Sequence, residues 1–235
     1  MGHVAENIKR LRERIDEAAI KAGREPATVQ LMAVTKTQPA QLVNEAIVAG
    51  VTLLGENRAQ ELCERYESYD LHPGVDIHFI GHLQTNKVKM LLGKVSTVQS
   101  VGSLRLAAEL SKQGEKLGVS TDLLLEINIG GEESKAGVAP ADAPELVRQI
   151  AQLPFVRLRG LMAIPHIWNE NAGGERFFAQ MQEMLVDIRA KNIDNVNMDI
   201  LSMGMTDDFD IAVKHGSTLV RLGTAIFGAR NYGQH

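Results

Sequence analysis

The sequence predicts an α/β protein: a single (β/α)8 barrel preceded by an extra amino-terminal helix. Three observations carry that reading. Eight short runs of aliphatic and β-branched residues recur along 235 residues. Each of the first seven is followed by a longer amphipathic stretch, and no linker or low-complexity tract interrupts the alternation. The length is usual for one closed barrel of eight βα units. The expected organisation is therefore one domain, 1–235, with a helix within 1–25 and the barrel over 29–230.

The opening stretch places Ile8, Leu11, Ile15 and Ala19 at helical spacing among alternating charges, with Gly23 as a stop. It lacks the apolar core of a signal peptide, and Glu6 stands where a myristoylation pattern beginning at Gly2 needs Ser or Thr. This helix is expected to cover one end of the barrel. Strands are expected at 29–35 (VQLMAVT), 52–56 (TLLGE), 76–81 (DIHFIG), 96–100 (STVQS), 122–128 (DLLLEIN), 157–163 (RLRGLMA), 199–203 (DILSM) and 218–223 (TLVRLG). Helices are expected near 40–49, 57–68, 85–92, 103–117, 140–152, 172–191 and 206–215, so that only the last strand lacks one.

With 44% hydrophobic and 23% charged residues, the composition is that of a globular protein. A net charge of −4 gives no electrostatic reason to expect nucleic acid or an anionic membrane as partner. No segment approaches the ~20 apolar residues of a membrane span. The one cysteine, Cys63, excludes an internal disulfide, and nothing supplies the thiolates of a structural zinc site, so a reducing cytoplasm is expected.

In this fold, polar chemistry collects where strands end and βα loops begin. Lys36 ends the first expected strand and Glu56 and Asn57 the second; His82 follows the third, Asn128 ends the fifth, Ser202 the seventh, and Arg221 to Thr224 close the eighth. Around that last strand, HGSTLVRLGTAIFGAR (215–230) carries Gly216, Ser217, Gly223, Thr224 and Gly228. Glycines admit close backbone approach and hydroxyls donate, as the loops after strands 7 and 8 do for a phosphate, although turn chemistry accounts for any one of them alone. LSMGMTDD (201–208) is the strand 7 counterpart, with Ser202 as a hydroxyl donor and Asp207 or Asp208 as a helix cap.

Arg221 shares the inward parity of Leu219 and wants an acceptor. Lys36, closing the apolar run LMAV, needs a partner, a lowered pKa or a covalent role if it is buried, and reads as a snorkelling lysine if it is not. A phosphate site, an inward lysine and a neighbouring arginine together describe a receptor for pyridoxal 5'-phosphate (PLP), whose aldehyde would meet the neutral amine of Lys36. His78 and His82 share one strand face and lack a third ligand, so no metal is expected.

The blocks AVTKTQP, LLGENRAQE, HFIGHLQTNK, EINIGGEESKAGV, GLMAIP and LSMGMTDDFDIAVKHGSTLVRLGTAIFGAR, in this order between about 29 and 230, resemble the signature blocks of the YggS/PROSC family of pyridoxal phosphate homeostasis proteins. The resemblance implies a TIM barrel like the alanine racemase N-terminal domain, of PLP fold type III, with Lys36 as the Schiff-base lysine. It implies further that Ser202 and Ser217, with Gly223 and Thr224, hold the phosphate. Arg221 would face the pyridine nitrogen and keep it unprotonated, making the cofactor a weaker electron sink. Asn57 and His82 would lie beside the ring and Met203 would line the pocket; on its own residues Asn57 equally caps a helix and His82 equally is a loop histidine. Lys135, in EESKAGV, belongs to the pattern without an evident role. Gln38 stands where a second lysine is common in the family, and Thr35 where Ser is, which weakens any sharing of the cofactor by a neighbouring lysine.

The expected function is to hold PLP as a Schiff base in intracellular cofactor homeostasis, buffering it or delivering it to apo PLP-dependent enzymes, rather than to act as an enzyme. Alanine racemases take their second acid/base group as a tyrosine from an added carboxy-terminal domain of the partner subunit. The tyrosines of this sequence, Tyr66, Tyr69 and Tyr232, are not placed to serve. The alternative is a slow PLP-dependent amino acid racemase or lyase with Lys36 as one base, and a third reading is a barrel enzyme acting on a phosphorylated metabolite. A monomer is expected.

Overall fold

The structure, a computed structural model, describes residues 3–131, 136–164 and 174–228. Eight parallel strands, β1 (Gln30–Val34), β2 (Leu53–Glu56), β3 (Asp76–Phe79), β4 (Thr97–Val101), β5 (Thr121–Glu126), β6 (Val156–Met162), β7 (Val196–Ser202) and β8 (Leu219–Leu222), pair in chain order and close through β1 and β8. Each lies within three residues of its expected span. The helices are α1 (His3–Lys21), α2 (Ala40–Val48), α3 (Ala59–Arg65), α4 (Val88–Leu91), α5 (Leu104–Leu117), α6 (Ala143–Ala151), α7 (Gly174–Arg189), α8 (Phe209–Lys214) and α9 (Thr224–Phe227).

Strands covered on both faces are largely apolar, and their two-residue alternation decides which side chain goes where. Leu31, Ala33, Leu54, Val220 and Leu222 join the core between strands and helices, whereas Met32, Leu53 and Leu219, with Ile80 and Ile200, fill the barrel itself. The same alternation turns Arg221, two residues past Leu219, toward the inside, and Lys36 follows two residues beyond the end of β1.

Two expectations about the helices are corrected. The last strand does have a helix, but α9 is a single turn of four residues. The amino-terminal helix does not close an end of the barrel; α1 packs on its outside against α2, α8 and α9, covering the flank that so short an α9 leaves bare. Its stripe of Val4, Ile8, Leu11, Ile15 and Ala19 is buried there. Asn7 Nδ2 donates to Ile226 O at 2.9 Å, and Arg14 pairs with Asp210 at 2.7 Å over the Phe209 ring.

Other boundaries shift for local reasons. The expected helix 85–92 divides into a 3-10 turn at Thr85–Lys87 and α4, and 57–68 ends in a 3-10 turn at Tyr66–Ser68. Pro144, which lacks an N–H, sits in the first turn of α6. Asp208 is the N-cap residue of α8, yet its carboxylate accepts from Met205 N behind the helix rather than from a helix N–H.

Backbone contact between strands is closest at Gly160 of β6, where a Cβ would stand 1.8 Å from Ile200 O of β7. Gly160→Ala is expected to lower stability by about 3 kcal/mol, read as a drop in denaturation midpoint. Gly118→Ala, at the left-handed end of α5 with open space around it, should cost only about 1 kcal/mol.

Candidate functional site

Lys36 stands two residues past β1, partly buried, on a turn that is held from outside the barrel. Thr35 alternates outward and donates its hydroxyl to Glu56 Oε1 at 2.6 Å. Tyr69 OH donates to the same oxygen at 2.6 Å. Arg65 lies 3.5 Å from Glu56 Oε2 and also donates to Gln38 O, the far side of the Lys36 turn. Glu56 is fully buried, so its carboxylate needs these donors in place of water. Burial first, and then the adjacent Glu56 carboxylate, holds the Tyr69 phenol well above its ordinary pKa, which keeps it a donor. Within the turn Thr37 has φ 62°, a left-handed conformation that costs a β-branched residue about 1–3 kcal/mol and persists because the flanks are tied down.

A second set of bonds runs through the barrel interior. Arg221, 4% exposed, donates from Nη1 to Ser202 Oγ at 2.7 Å and from Nη2 to Ala163 O at 2.8 Å. The Ser202 hydroxyl donates to Gln99 Oε1 at 2.6 Å, and Gln99 Nε2 lies 2.8 Å from His78 Nδ1. The direction of this chain is forced from one end. A guanidinium only donates, so Ser202 accepts and passes its single proton to the Gln99 oxygen. The Gln99 amide nitrogen must then donate to an unprotonated His78 Nδ1. Burial pushes His78 down to about 4, so at neutral pH the ring is uncharged with its proton on Nε2. Burial also pulls Arg221 down to about 10, against the attraction of Asp208 and Glu126; it remains a cation. Burial raises the Glu126 carboxyl, opposed by His82 and Arg221.

Several expected residues meet at the carboxy-terminal rim. Asn57 directly follows β2, its Oδ1 buried and without a partner among the described residues. Gly81, past β3, lies so close that a Cβ would stand 1.9 Å from Asn57 O. His82 is exposed and lines a cleft of about 610 Å³ with Ser100, Arg105, Glu126 and Gly137. Gly223 leads into Thr224, whose Oγ1 is 3.1 Å from Thr206 Oγ1, so hydroxyls from the loops after β7 and β8 converge. Thr206 was passed over in the sequence, although its place four residues past Ser202, in the loop facing Thr224, was the available signal. Gln99 was missed too, because a polar residue inside an apolar run shows no partner until the barrel closes.

Three expected positions differ. Ser217 precedes β8, at the end away from the rim; it is fully buried and its hydroxyl donates to Met203 O at 2.8 Å, so it ties β7 to β8 instead of facing a phosphate. The cause is register: Ser202 pairs with Leu219, which leaves Ser217 below the end of β7. Ser202 points inward, and its hydroxyl has a protein acceptor, Gln99 Oε1. Met203, one residue on, alternates outward into the sheet–helix core and does not line the barrel. Glu56 likewise faces away from the mouth and acts on Lys36 through Thr35. Lys135 and Tyr232 lie outside the described residues. Among the described residues no three His, Cys, Asp or Glu side chains converge as a metal site.

Residues 2–231 match the family model described as alanine racemase, N-terminal domain, and that is the class this barrel defines. The alanine racemase of Streptomyces coelicolor A3(2) shares the fold, with a TM-score of 0.73 over 97% of this chain and 58% of that one at 19% identity. Within this class, the chain belongs to the family of pyridoxal phosphate homeostasis proteins. It is 46% identical to the pyridoxal phosphate homeostasis protein of Pseudomonas aeruginosa across 99% of this chain and 98% of that one. PipY of Synechococcus elongatus PCC7942, whose structure was solved with PLP bound, is 34% identical, with a TM-score of 0.81 over 96% of this chain and 100% of that one.

The depressed His78 pKa sets a stability profile. The unfolded ring, with its ordinary value of 6.5, takes up a proton before the folded ring at about 4 does. Stability is therefore full above pH 6.5 and falls as the pH drops toward 4, by about 3 kcal/mol in total. Denaturation across this range should show the loss in the wild type and a flattened profile in His78→Gln.

Proposed function

We propose that this protein binds PLP at the barrel rim and serves intracellular PLP homeostasis, holding the cofactor for delivery to apo PLP-dependent enzymes without strong catalysis of its own. The observation that carries the reading is Arg221: a buried cation whose direct bonds go to a hydroxyl and a carbonyl, inside a barrel that carries Lys36 just past the end of β1.

The residues fit the cofactor. Lys36 would take the aldehyde, Arg221 the pyridine nitrogen, and Thr206, Gly223 and Thr224 the phosphate. The buried Asn57 Oδ1, lacking a partner among the described residues, suits the 3-hydroxyl of the ring, beside which His82 would stand. When bound, PLP supplies an aldehyde that takes up an amine and a ring that withdraws electrons. Arg221 keeps its own proton at neutral pH and offers the ring nitrogen only a hydrogen bond. The ring is thus left a weaker electron sink, which suits holding more than transformation. The Glu56 cluster orients Lys36 without touching the ligand.

Tyr66 and Tyr69, candidates for a second acid/base group, both lie outside the barrel wall. Tyr69 OH is bound to Glu56, and the Tyr66 ring lies 5.3 Å from Lys94 Nζ. The naming of the relatives as homeostasis proteins supports the same reading. Slow racemase or lyase chemistry is the second reading, favoured by Glu126, a carboxyl raised by burial that lines the rim cleft with His82. No helix among the described residues is long and apolar enough to cross a membrane, and Cys63 is a free thiol; the proposal includes a cytoplasmic monomer.

Purified protein mixed with PLP is expected to gain a visible absorbance band that Lys36→Ala lacks; a colourless wild type overturns the reading. In Arg221→Glu the pH titration of that band should move, since a carboxylate favours a protonated ring nitrogen. Thr224→Val should weaken PLP while sparing pyridoxal, which has no phosphate. Turnover of a common amino acid faster than about 1 s⁻¹ would decide for the enzymatic reading.

A further inference from the structure

The proposed cofactor contacts use neither Gln99 nor His78, yet both are buried in a barrel whose interior also holds the apolar cluster of Met32, Leu53 and Leu219 with Ile80 and Ile200. Gln99 is fully buried and His78 is 7% exposed. Polar groups in such a place cost stability unless fully paired, and apolar residues of the same size would fill the space without that demand. The pairing shows what they do. Ser202 Oγ has one proton and is the side-chain partner of Arg221 among the described residues. Left to itself the hydroxyl would rotate among several acceptors, and Nη1 would lose a defined lone pair. Gln99 Oε1 captures that proton at 2.6 Å, and His78 Nδ1, accepting from Gln99 Nε2, determines which end of the amide faces Ser202. Ala163 O fixes Nη2, so both terminal nitrogens are held against the β6–β7 wall. A guanidinium held at both ends can present its remaining N–H groups to a ligand in one orientation only.

We propose that Gln99 is a positioning residue for the ring nitrogen of the bound cofactor: by taking the Ser202 proton it makes Ser202 a pure acceptor for Arg221 and locks the guanidinium in one orientation. His78 acts behind it, setting the amide's direction. The ligand class selected is a pyridine whose nitrogen is an unprotonated acceptor. This inference rests on the PLP reading above.

The test compares wild type, Gln99→Leu and Gln99→Glu in binding PLP, pyridoxal, and the PLP analogue in which the ring nitrogen is replaced by CH. Loss of one oriented bond should weaken PLP and pyridoxal binding about tenfold in Gln99→Leu, with the nitrogen-free analogue unchanged. Gln99→Glu, which keeps an acceptor for Ser202, should restore most of the affinity. Equal loss for PLP and the analogue would mean a packing effect and overturns the proposal. Loss confined to the two phosphate-bearing ligands would mean that Ser202 acts on the phosphate, and also overturns it. Undiminished PLP binding in Gln99→Leu overturns it while leaving the PLP reading intact; a wild type that binds no PLP overturns that reading instead. A readout without ligand stands apart from both. Nitrogen-15 NMR of the ligand-free wild type should show His78 protonated at Nε2 and bare at Nδ1, with Nδ1 gaining a proton in Gln99→Glu. A wild-type His78 carrying its proton on Nδ1 would reverse the chain and overturn the proposal, even if Gln99→Leu does not fold.

Discussion

The structure turns on a cation buried inside the barrel. Arg221 is nearly inaccessible to water, and among the described residues its bonds go to a hydroxyl and a carbonyl rather than to a carboxylate. A buried guanidinium without acceptors would be strongly destabilising, so the surrounding strands supply them: a hydroxyl from β7, a carbonyl past β6, and the longer-range charges of Asp208 and Glu126. Each acceptor recruits the next. Ser202 needs somewhere to send its proton, Gln99 needs somewhere to send its amide hydrogen, and His78, kept neutral by its burial, supplies the last acceptor. Four residues from β3, β4, β7 and β8 form one directed chain whose sense follows from the charge at its start. The neighbours leave the cation incompletely matched, and that is the condition for accepting a neutral ring nitrogen from a ligand.

Lys36 is handled in the opposite way. Its turn is secured from the helix side of the barrel wall, where the buried Glu56 carboxylate gathers Thr35, Tyr69 and Arg65. The wall thus separates two jobs: the outer layer places the lysine, and the inner chain orients the arginine. Both rely on strand alternation, which sends Thr35 and Glu56 to the helix side and Arg221 to the interior. The strained Thr37 sits between the two anchors of the turn, and its conformation is retained because they leave little room to relax.

Much of this was legible in the residues. The eight strands, the inward parity of Arg221 and the rim position of Lys36, Asn57, His82 and Thr224 follow from short-range pattern, since alternation and turn chemistry act over a few residues. Ser217 and Met203 were read differently from how they lie, for one shared reason. Proximity in sequence to the last two strands suggested the rim, whereas the register of β7 against β8 put Ser217 below it and parity put Met203 behind the wall. The amino-terminal helix was likewise readable as a helix but not as the outer neighbour of α8 and α9, because the brevity of α9 is a consequence of packing.

What the sequence determined by itself is local: which segments become strands, which side chains point in, and that a lysine, an arginine and hydroxyls stand near one end of the barrel. Only the closed barrel decided which of these groups are free to meet a ligand. Ser202 and Ser217 are the same residue type near the same strands, yet Ser202 is drawn into a chain ending at His78 and Ser217 is absorbed by carbonyls between β7 and β8. Gln99, 103 residues from Ser202 in the chain, became its partner through closure alone. A hydrogen bond depends on distance and direction between groups, and for residues on different strands those are set by register and shear, which no local pattern contains.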